Sequence, residues 1–490
     1  MNPRHGFPIA VLLLLAACGD SPPPVSAEQQ FIDEVAAALG GRAAIEAANT
    51  LVIEAEGLRL NVGQDMTPEA ATMEFAISGY TRAVDLANGR SRTEETRTPM
   101  FEYFRGRDPF QVVSGIDGEV AYDIAADGSA RRASEEVAAE RISIFHHHPL
   151  VLVHAALTGD ATVANLRSEG GLSLADVTMD GGKVFTLAVD PASGLPSFIR
   201  STDHHFYLRD VVRKTAFADY RNVGALMLPS VLSRSLDEFH VFRLDVVTQN
   251  TGGELGDIAA PTTAVAATPA SGPGPVNVEA EMLADGVWFL AGQSHHSVLV
   301  EFDDHLVIIE APNEARTLGV IEKARELVPG KPVTHLVSTH HHFDHSGGIR
   351  AAVSEGLTIV TQAANEAFYR RMAEQPATII PDAQSRAQQP ISRTSFDERF
   401  VHEDDSMKLE LYHVVGSGHS ESILMAYLPA ERLLIEADLY TPGRTTPQTF
   451  APNMLENVER YGLEVDRIVP IHGGVVDFNV VEAAVRDLQN

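Results

Sequence analysis

Residues 337 to 348 read VSTHHHFDHSGG, a stretch with four histidines and an aspartate between His340 and His345. His340 and His342 follow the apolar strand VTHLVST, and in extended chain residues two apart point the same way. Both imidazoles can therefore approach one cation. Asp344 and His345 sit where the chain turns toward Gly347 and Gly348, and they face a neighbouring point. Neutral imidazole suits zinc and a carboxylate adds charge compensation, so one short loop can serve two metals. A pair of ions needs more ligands than this loop supplies, and the chain offers them where apolar strands expire. His419 lies in GSGHS after LELYHVV, Asp438 ends LLIEAD, and His472 ends IVPIHGG. Taken singly, each reads as a capping or surface residue; their coordinated placement points to a metal centre.

HHHFDH matches the H-x-H-x-D-H signature of the metallo-β-lactamase superfamily, and GSGHS, EADLY and PIHGG resemble its later motifs in the same order. The resemblance runs from about residue 276 to the C-terminus and implies an αββα sandwich with the metals at one edge. It also implies one metal on His340, His342 and His419, a second on Asp344, His345 and His472, and Asp438 bridging both. The family's first motif usually ends a strand with an aspartate that braces the loop; here VIIEAP offers Glu310, a longer side chain. His341 is expected to point away from the metals, either to the surface or behind the ligands. Two zinc ions are the implied cofactors, with iron or manganese as alternatives. Two cations about 3.5 to 4 Å apart lower the pKa of a shared water and collect charge developing on a carbonyl or phosphoryl oxygen. Asp344 could orient that water or relay its proton. Tyr440, two residues beyond Asp438, could donate a hydrogen bond to substrate.

β-Lactamases of the commonest zinc subclass place a cysteine where this chain has Asp438. The only cysteine here is Cys18, so that active site cannot be built. A bridging aspartate instead resembles the thioesterases, lactonases and phosphodiesterases of the superfamily. The expectation is a dinuclear zinc hydrolase in the cell envelope, acting on an ester, thioester, lactone or related bond. Two alternatives stay open. One is a mononuclear iron oxidoreductase resembling the persulfide dioxygenases, built on His340, His419 and Asp438; the other is a non-catalytic periplasmic lipoprotein whose first body holds an apolar ligand.

Positioning these ligands is the task of a second body, 276–490. In it VWFL, SVLVEF and HLVIIEAP read as strands, and LGVIEKARELV puts Leu318, Ile321, Ala324 and Leu327 on one helical face. Strands and helices then interleave to a terminal helix, a layered arrangement of the α+β kind with helices covering the sheets. Residues 256–275, which include TTAVAATPASGPGP, show no apolar period and read as a linker. Before it, 28–255 opens with the helical QFIDEVAAALGG. It continues in segments of alternating polarity with turns at Asp117-Gly118, Asp127-Gly128 and Asp180-Gly181-Gly182, interrupted by a helical stretch near 134–158. This predicts a β-rich antiparallel-sheet domain with a few helices, of no assigned role, loosely resembling half-barrel lipoprotein carriers. Its histidines, His146 to His148 in FHHHP and the pair His204 and His205, read as structural, because no carboxylate stands at ligand spacing.

Residues 1–17 combine Arg4, an apolar run from Ile9 to Leu15 and small residues. They read as a signal peptide, since the run is too short to span a bilayer. LAAC resembles the lipobox of bacterial lipoproteins. That implies acylation of Cys18, a tether over 18–27 and a periplasmic protein lipid-anchored to a bacterial membrane, the outer one slightly favoured. The single thiol leaves no intrachain disulfide. At 490 residues the chain exceeds one ordinary core, and its net charge of −30 leaves no basic stripe for a nucleic-acid backbone. The partners expected are a small-molecule substrate, the membrane through Cys18, and an envelope partner on the first body, with no nucleic acid.

Overall fold

The computed structural model describes residues 26–70, 73–101, 108–270, 276–292, 294–444 and 447–489. The signal peptide, Cys18 and the tether up to residue 25 lie outside the described residues. The first body is a thirteen-stranded antiparallel sheet. Its first strand, Thr50–Asn61, pairs with its last, Phe239–Thr251, so the two arms of the sheet grow outward from a central seam. The expected turns close hairpins. Phe110–Asp117 reverses into Val120–Ile124 through Gly118 at φ 57°, and Leu172–Met179 into Val184–Val189 through Gly182 at φ 82°, a region that side chains with a Cβ resist. Alternation sends Leu51, Ile53 and Ala55 into a core shared with Phe31, Ile32 and Val35 of the opening helix, Ala27–Ala38.

The helical stretch near 134–158 is two helices, Glu135–His146 and Pro149–Thr158. Pro149 cannot continue the first but fits the opening turn of the second, where the Leu150 N–H donates to His148 Nδ1 at 3.3 Å. His147 is buried between Thr215 Oγ1 and Ser201 Oγ, each 2.9 Å away. These histidines knit the first body together. In the stretch read as a linker, the described residues 256–270 pack on the first body. Ile258, Ala260 and Ala264 are buried, Tyr122 donates its hydroxyl to the Ile258 carbonyl at 3.0 Å, and Thr262–Ala266 is a short helix. Apolar residues so small and sparse leave no period to read.

The second body is two sheets face to face. Leu306–Ile309, Val333–Val337 and Thr358–Gln362 are central strands of the seven-stranded sheet; Lys408–His413, Leu424–Leu428, Leu433–Glu436 and Arg467–Pro470 make the middle of the six-stranded one. Val298, Val307 and Ile309 meet Leu409, Leu411 and Ile435 between them. Both outer faces are covered, by helix Glu314–Leu327 on one side and by Ala451–Arg460 and Phe478–Gln489 on the other. Covering on both faces explains why these strands are unbroken apolar runs, and the αββα expectation holds.

The two bodies touch closely. Tyr207 stacks on Phe343 with ring centroids 4.8 Å apart, Arg209 pairs with Glu314 at 3.1 Å and Asp382 at 2.8 Å, and the Asp210 carboxylate accepts from the Thr378 N–H and hydroxyl at 2.7 and 2.6 Å.

Candidate metal centre

Leu306–Ile309 runs parallel to Val333–Val337, and Leu433–Glu436 runs parallel to Arg467–Pro470. The residues just beyond the C-terminal ends of these strands therefore emerge on one edge of the sandwich: Glu310, the loop His340 to His345, Asp438 and His472. His419 joins them from the turn between Lys408–His413 and Leu424–Leu428. Glu310 and Asp438 sit at φ 79° and 59°. Such backbone costs a residue with a Cβ on the order of 1 to 3 kcal/mol and persists where its surroundings over-determine it. They do so at Asp438, where the buried Glu436 carboxylate accepts the N–H groups of Leu439 and Tyr440 at 3.0 and 3.2 Å.

The side chains predicted to be ligands converge in two groups. His340, His342, His419 and Asp438 form one and His295, Asp344, His345 and His472 the other, with ligand atoms in each within 4.8 Å of one another. Asp438 lies between them. Its Oδ2 is 3.5 Å from His340 Nε2, 3.3 Å from His419 Nε2 and 2.6 Å from His345 Nε2, while Oδ1 is 3.1 Å from His472 Nε2. The three histidines of the first group are buried, whereas the side chain of Asp344 is 37% exposed. Solvent and ligands reach the centre over Asp344.

Three of the imidazoles, His345, His472 and His342, are aimed by their other nitrogen. Glu310 braces the loop, its Oε2 2.6 Å from His345 Nδ1 and its Oε1 accepting the Thr339 N–H at 2.9 Å. His472 Nδ1 reaches the Ser294 carbonyl at 3.2 Å. His342 is aimed from the first body: its Nε2 donates to the Asp65 carbonyl at 2.8 Å, which leaves Nδ1 the acceptor nitrogen, buried and without a hydrogen-bond partner. A lone pair so placed fits a cation, and so does the His and carboxylate donor set around it. Gln64, also from the first body, donates to Asp344 Oδ1 at 2.9 Å.

The charges are divided unequally. Burial, reinforced by the rings of His345, His342 and His419, holds His340 well below its ordinary value and so neutral, as a ligand must be. Burial also opposes charge on His345, yet Asp438, Glu310 and Asp344 hold it well above the ordinary value. Asp344 and Asp438 stay below the usual carboxylate range despite burial, held chiefly by His345. At Glu436 burial outweighs the N–H groups of Tyr440 and Leu439 and the His345 ring, and pushes it up to about 8.

His341 is buried rather than at the surface, behind the ligands, its Nδ1 3.4 Å from Ser422 Oγ and from Ser420 Oγ. Tyr440 is also buried, in an apolar cluster with Ile423, Leu439 and Met454. Sequence reasoning missed His295, whose Nε2 is 3.2 Å from Asp344 Oδ2. Its signal was a histidine pair in the turn between two apolar strands, the same polar-at-strand-end pattern that marked the other ligands. It also missed Gln64 and Asp65, for which no local pattern exists. A third group, His305, His335 and His402, shares none of these residues; His305 lies just before Leu306–Ile309, at the other end of that strand from Glu310.

The family model described as Metallo-beta-lactamase superfamily matches residues 290–474. A curated relative, 2,4-dinitroanisole O-demethylase subunit alpha of Nocardioides sp. (strain JS1661), is 26% identical over 193 residues, 38% of this chain and 55% of the relative. The chain thus spans about half the length of that relative. Among solved structures, a metallo-β-lactamase from Pontibacter korlensis is 19% identical, covering 44% of this chain and 100% of that one at a TM-score of 0.34. The mono-zinc form of FIM-1 from Pseudomonas aeruginosa is 21% identical, covering 44% and 96% at 0.34.

Proposed function

We propose, on the premise that the C-terminal domain belongs to the metallo-β-lactamase superfamily, that the protein is a dinuclear zinc hydrolase of an ester, thioester or lactone. One observation carries the reading: Asp438 stands between two ligand groups, its Oδ2 3.3 Å from His419 and 2.6 Å from His345. His340, His342 and His419 would hold one ion, Asp344, His345 and His472 the other, with Asp438 shared and His295 beside the second. Zinc in these positions supplies Lewis acidity and a hydroxide nucleophile at neutral pH. The chain's own residues do the rest. Asp344, the most exposed carboxylate of the centre, would orient the nucleophile or relay its proton, with Gln64 fixing Oδ1. Glu310 and the Asp65 carbonyl keep His345 and His342 aimed.

The test is elemental analysis of the purified chain with turnover of an ester, thioester and lactone panel. The panel includes 2,4-dinitroanisole because the curated relative is named for its O-demethylation. Two zinc equivalents at this centre with hydrolysis support the reading. One iron with oxygen uptake would favour the oxidoreductase alternative, and a metal-free, inactive chain would overturn both. His402→Ala, which removes a member of the third histidine group, separates any ion bound there and leaves turnover unchanged. The envelope location is part of the same reading and rests on LAAC at residues 15–18. Cys18→Ala is expected to move the protein from the membrane to the soluble fraction, and an unchanged distribution would refute the lipid anchor.

A further inference from the structure

A β-sheet whose inner face is covered by a helix is expected to be apolar there, and one arm of the first body is not. Strand Arg90–Pro99, RSRTEETRTP, has no apolar side chain before its final proline, yet Ser91 and Glu95 are 7% and 2% exposed. With strand Met73–Asp85 and helix Glu135–His146 it encloses a chamber of about 340 Å³. Five arginines line it, Arg59, Arg82, Arg97, Arg141 and Arg234, against two glutamates, Glu95 and Glu140. The whole chain carries a net charge of −30, so this excess of cations is local.

Three of the arginines have carboxylate partners. Arg59 and Arg97 share Glu95 at 3.1 and 2.5 Å, and Arg141 pairs with Asp123 at 2.5 Å. Arg82 and Arg234 are 8% and 7% exposed, and among the described residues neither has a carboxylate within ion-pair distance. Arg82 has a long hydrogen bond to the Ile144 carbonyl, 3.4 Å. Arg234 has one to Thr215 Oγ1, 3.3 Å, and lies over the Phe242 ring at 5.0 Å. Burial and the guanidiniums of Arg213 and Arg82 pull Arg234 down to about 9. Two buried cations without counter-charge are costly to a fold, and such groups mark sites where a ligand supplies what the protein omits. A second chamber of about 870 Å³ shares Arg59, Val137, Glu140, Ile144, Arg234 and Phe242 with the first. It adds Leu60, Val62, Phe206, Leu236 and Val241, an apolar wall, and is completed by charged residues such as Glu136 and Arg213 and by Glu314, Ile380 and Asp382 of the second body.

We propose that the first body binds an anionic amphiphile, its acid group held by Arg82 and Arg234 in the smaller chamber and its apolar body in the larger. The site is separate from the metal centre and does not depend on it. Calorimetric titration of the purified full chain with decanoate, decyl phosphate, decanol and inorganic phosphate tests this. Binding of either acid amphiphile at least tenfold tighter than decanol and than inorganic phosphate is the expected result. It should persist in His342→Ala and fall at least tenfold in Arg234→Met and in Arg82→Met. Without ligand, the Tm of those two variants should be unchanged or higher, since each loses an unbalanced buried charge; a lower Tm would show that the arginines serve the fold, and would overturn the assignment. Equal binding of decanol, equal binding of inorganic phosphate, or undiminished affinity in both arginine variants would overturn it as well. Failure of both variants to fold would count as a lower Tm does and would overturn it too.

Discussion

The metal edge of the second body and the helix-covered arm of the first both bury ionisable groups, by different means. At the metal edge nearly every buried group is aimed by a partner: Glu310 holds His345, Asp65 holds His342, and Glu436 holds the backbone after Asp438. What is left over is a set of acceptor atoms facing a common point. In the arm the leftover is the reverse, two guanidiniums facing a chamber. One region is organised to receive cations and the other an anion, within a single chain. Buried polar groups that look incomplete thus carry chemical information, since the sign of what is missing names the class of ligand.

The sharpest way to break this contrast is His342→Ala. It should remove metal and lower turnover by about 100-fold or more while leaving the first body folded, because outer partners alone are worth about 10- to 100-fold. Metal content and circular dichroism check it, and retained turnover would sink the centre. Next in size is Gly63→Ala, at the point where the two regions meet. A Cβ there would lie 2.2 Å from Phe343 Cδ2, at φ +75°. Pushing the Asp65 carbonyl from His342 should weaken zinc about 10- to 100-fold in chelator competition; unchanged affinity would mean the first body does not aim that histidine.

A third measurement addresses the first body alone. Arg213 and Lys183 hold Asp203 down to about 2 against its burial. A carboxylate with a depressed folded pKa contributes stability above its unfolded value, near 3.9, and loses it as pH falls through the folded value. Asp203→Asn should therefore cost about 2 kcal/mol in denaturant unfolding at pH 7, a difference that shrinks between about pH 4 and 2. A difference independent of pH would assign the loss to packing. The smallest expected effect is Gln64→Ala, which removes one hydrogen bond to Asp344. Roughly 1 kcal/mol, about fivefold in metal affinity, is the scale, and a change as large as that of His342→Ala would mean Gln64 does more than orient.

Legibility followed range. His340, His342, Asp344 and His345 stand out because they crowd one loop, and His419, Asp438 and His472 because each breaks an apolar strand at its end. The hairpin turns were legible through Asp-Gly pairs that supply positive φ. The strap over 258–266 was not, because Ile258, Ala260 and Ala264 are buried by a tyrosine far away in sequence. The charged strand RSRTEETRTP carries no apolar signal of its own, and the burial of Ser91 and Glu95 comes from segments distant in the chain.

By itself the sequence determined the order of the candidate ligands at strand ends, a second body with helices layered over sheets, and an antiparallel first body, since these come from local periodicity and from residue types at strand termini; the αββα sandwich was implied by the resemblance of its motifs. Only the tertiary structure decided that the first body reaches across the boundary, with Gln64 on Asp344 and the Asp65 carbonyl on His342. It also decided which cations are left without a counter-charge. Both depend on contacts between segments many residues apart, and a polar residue carries no mark in its own neighbourhood of what will be folded against it.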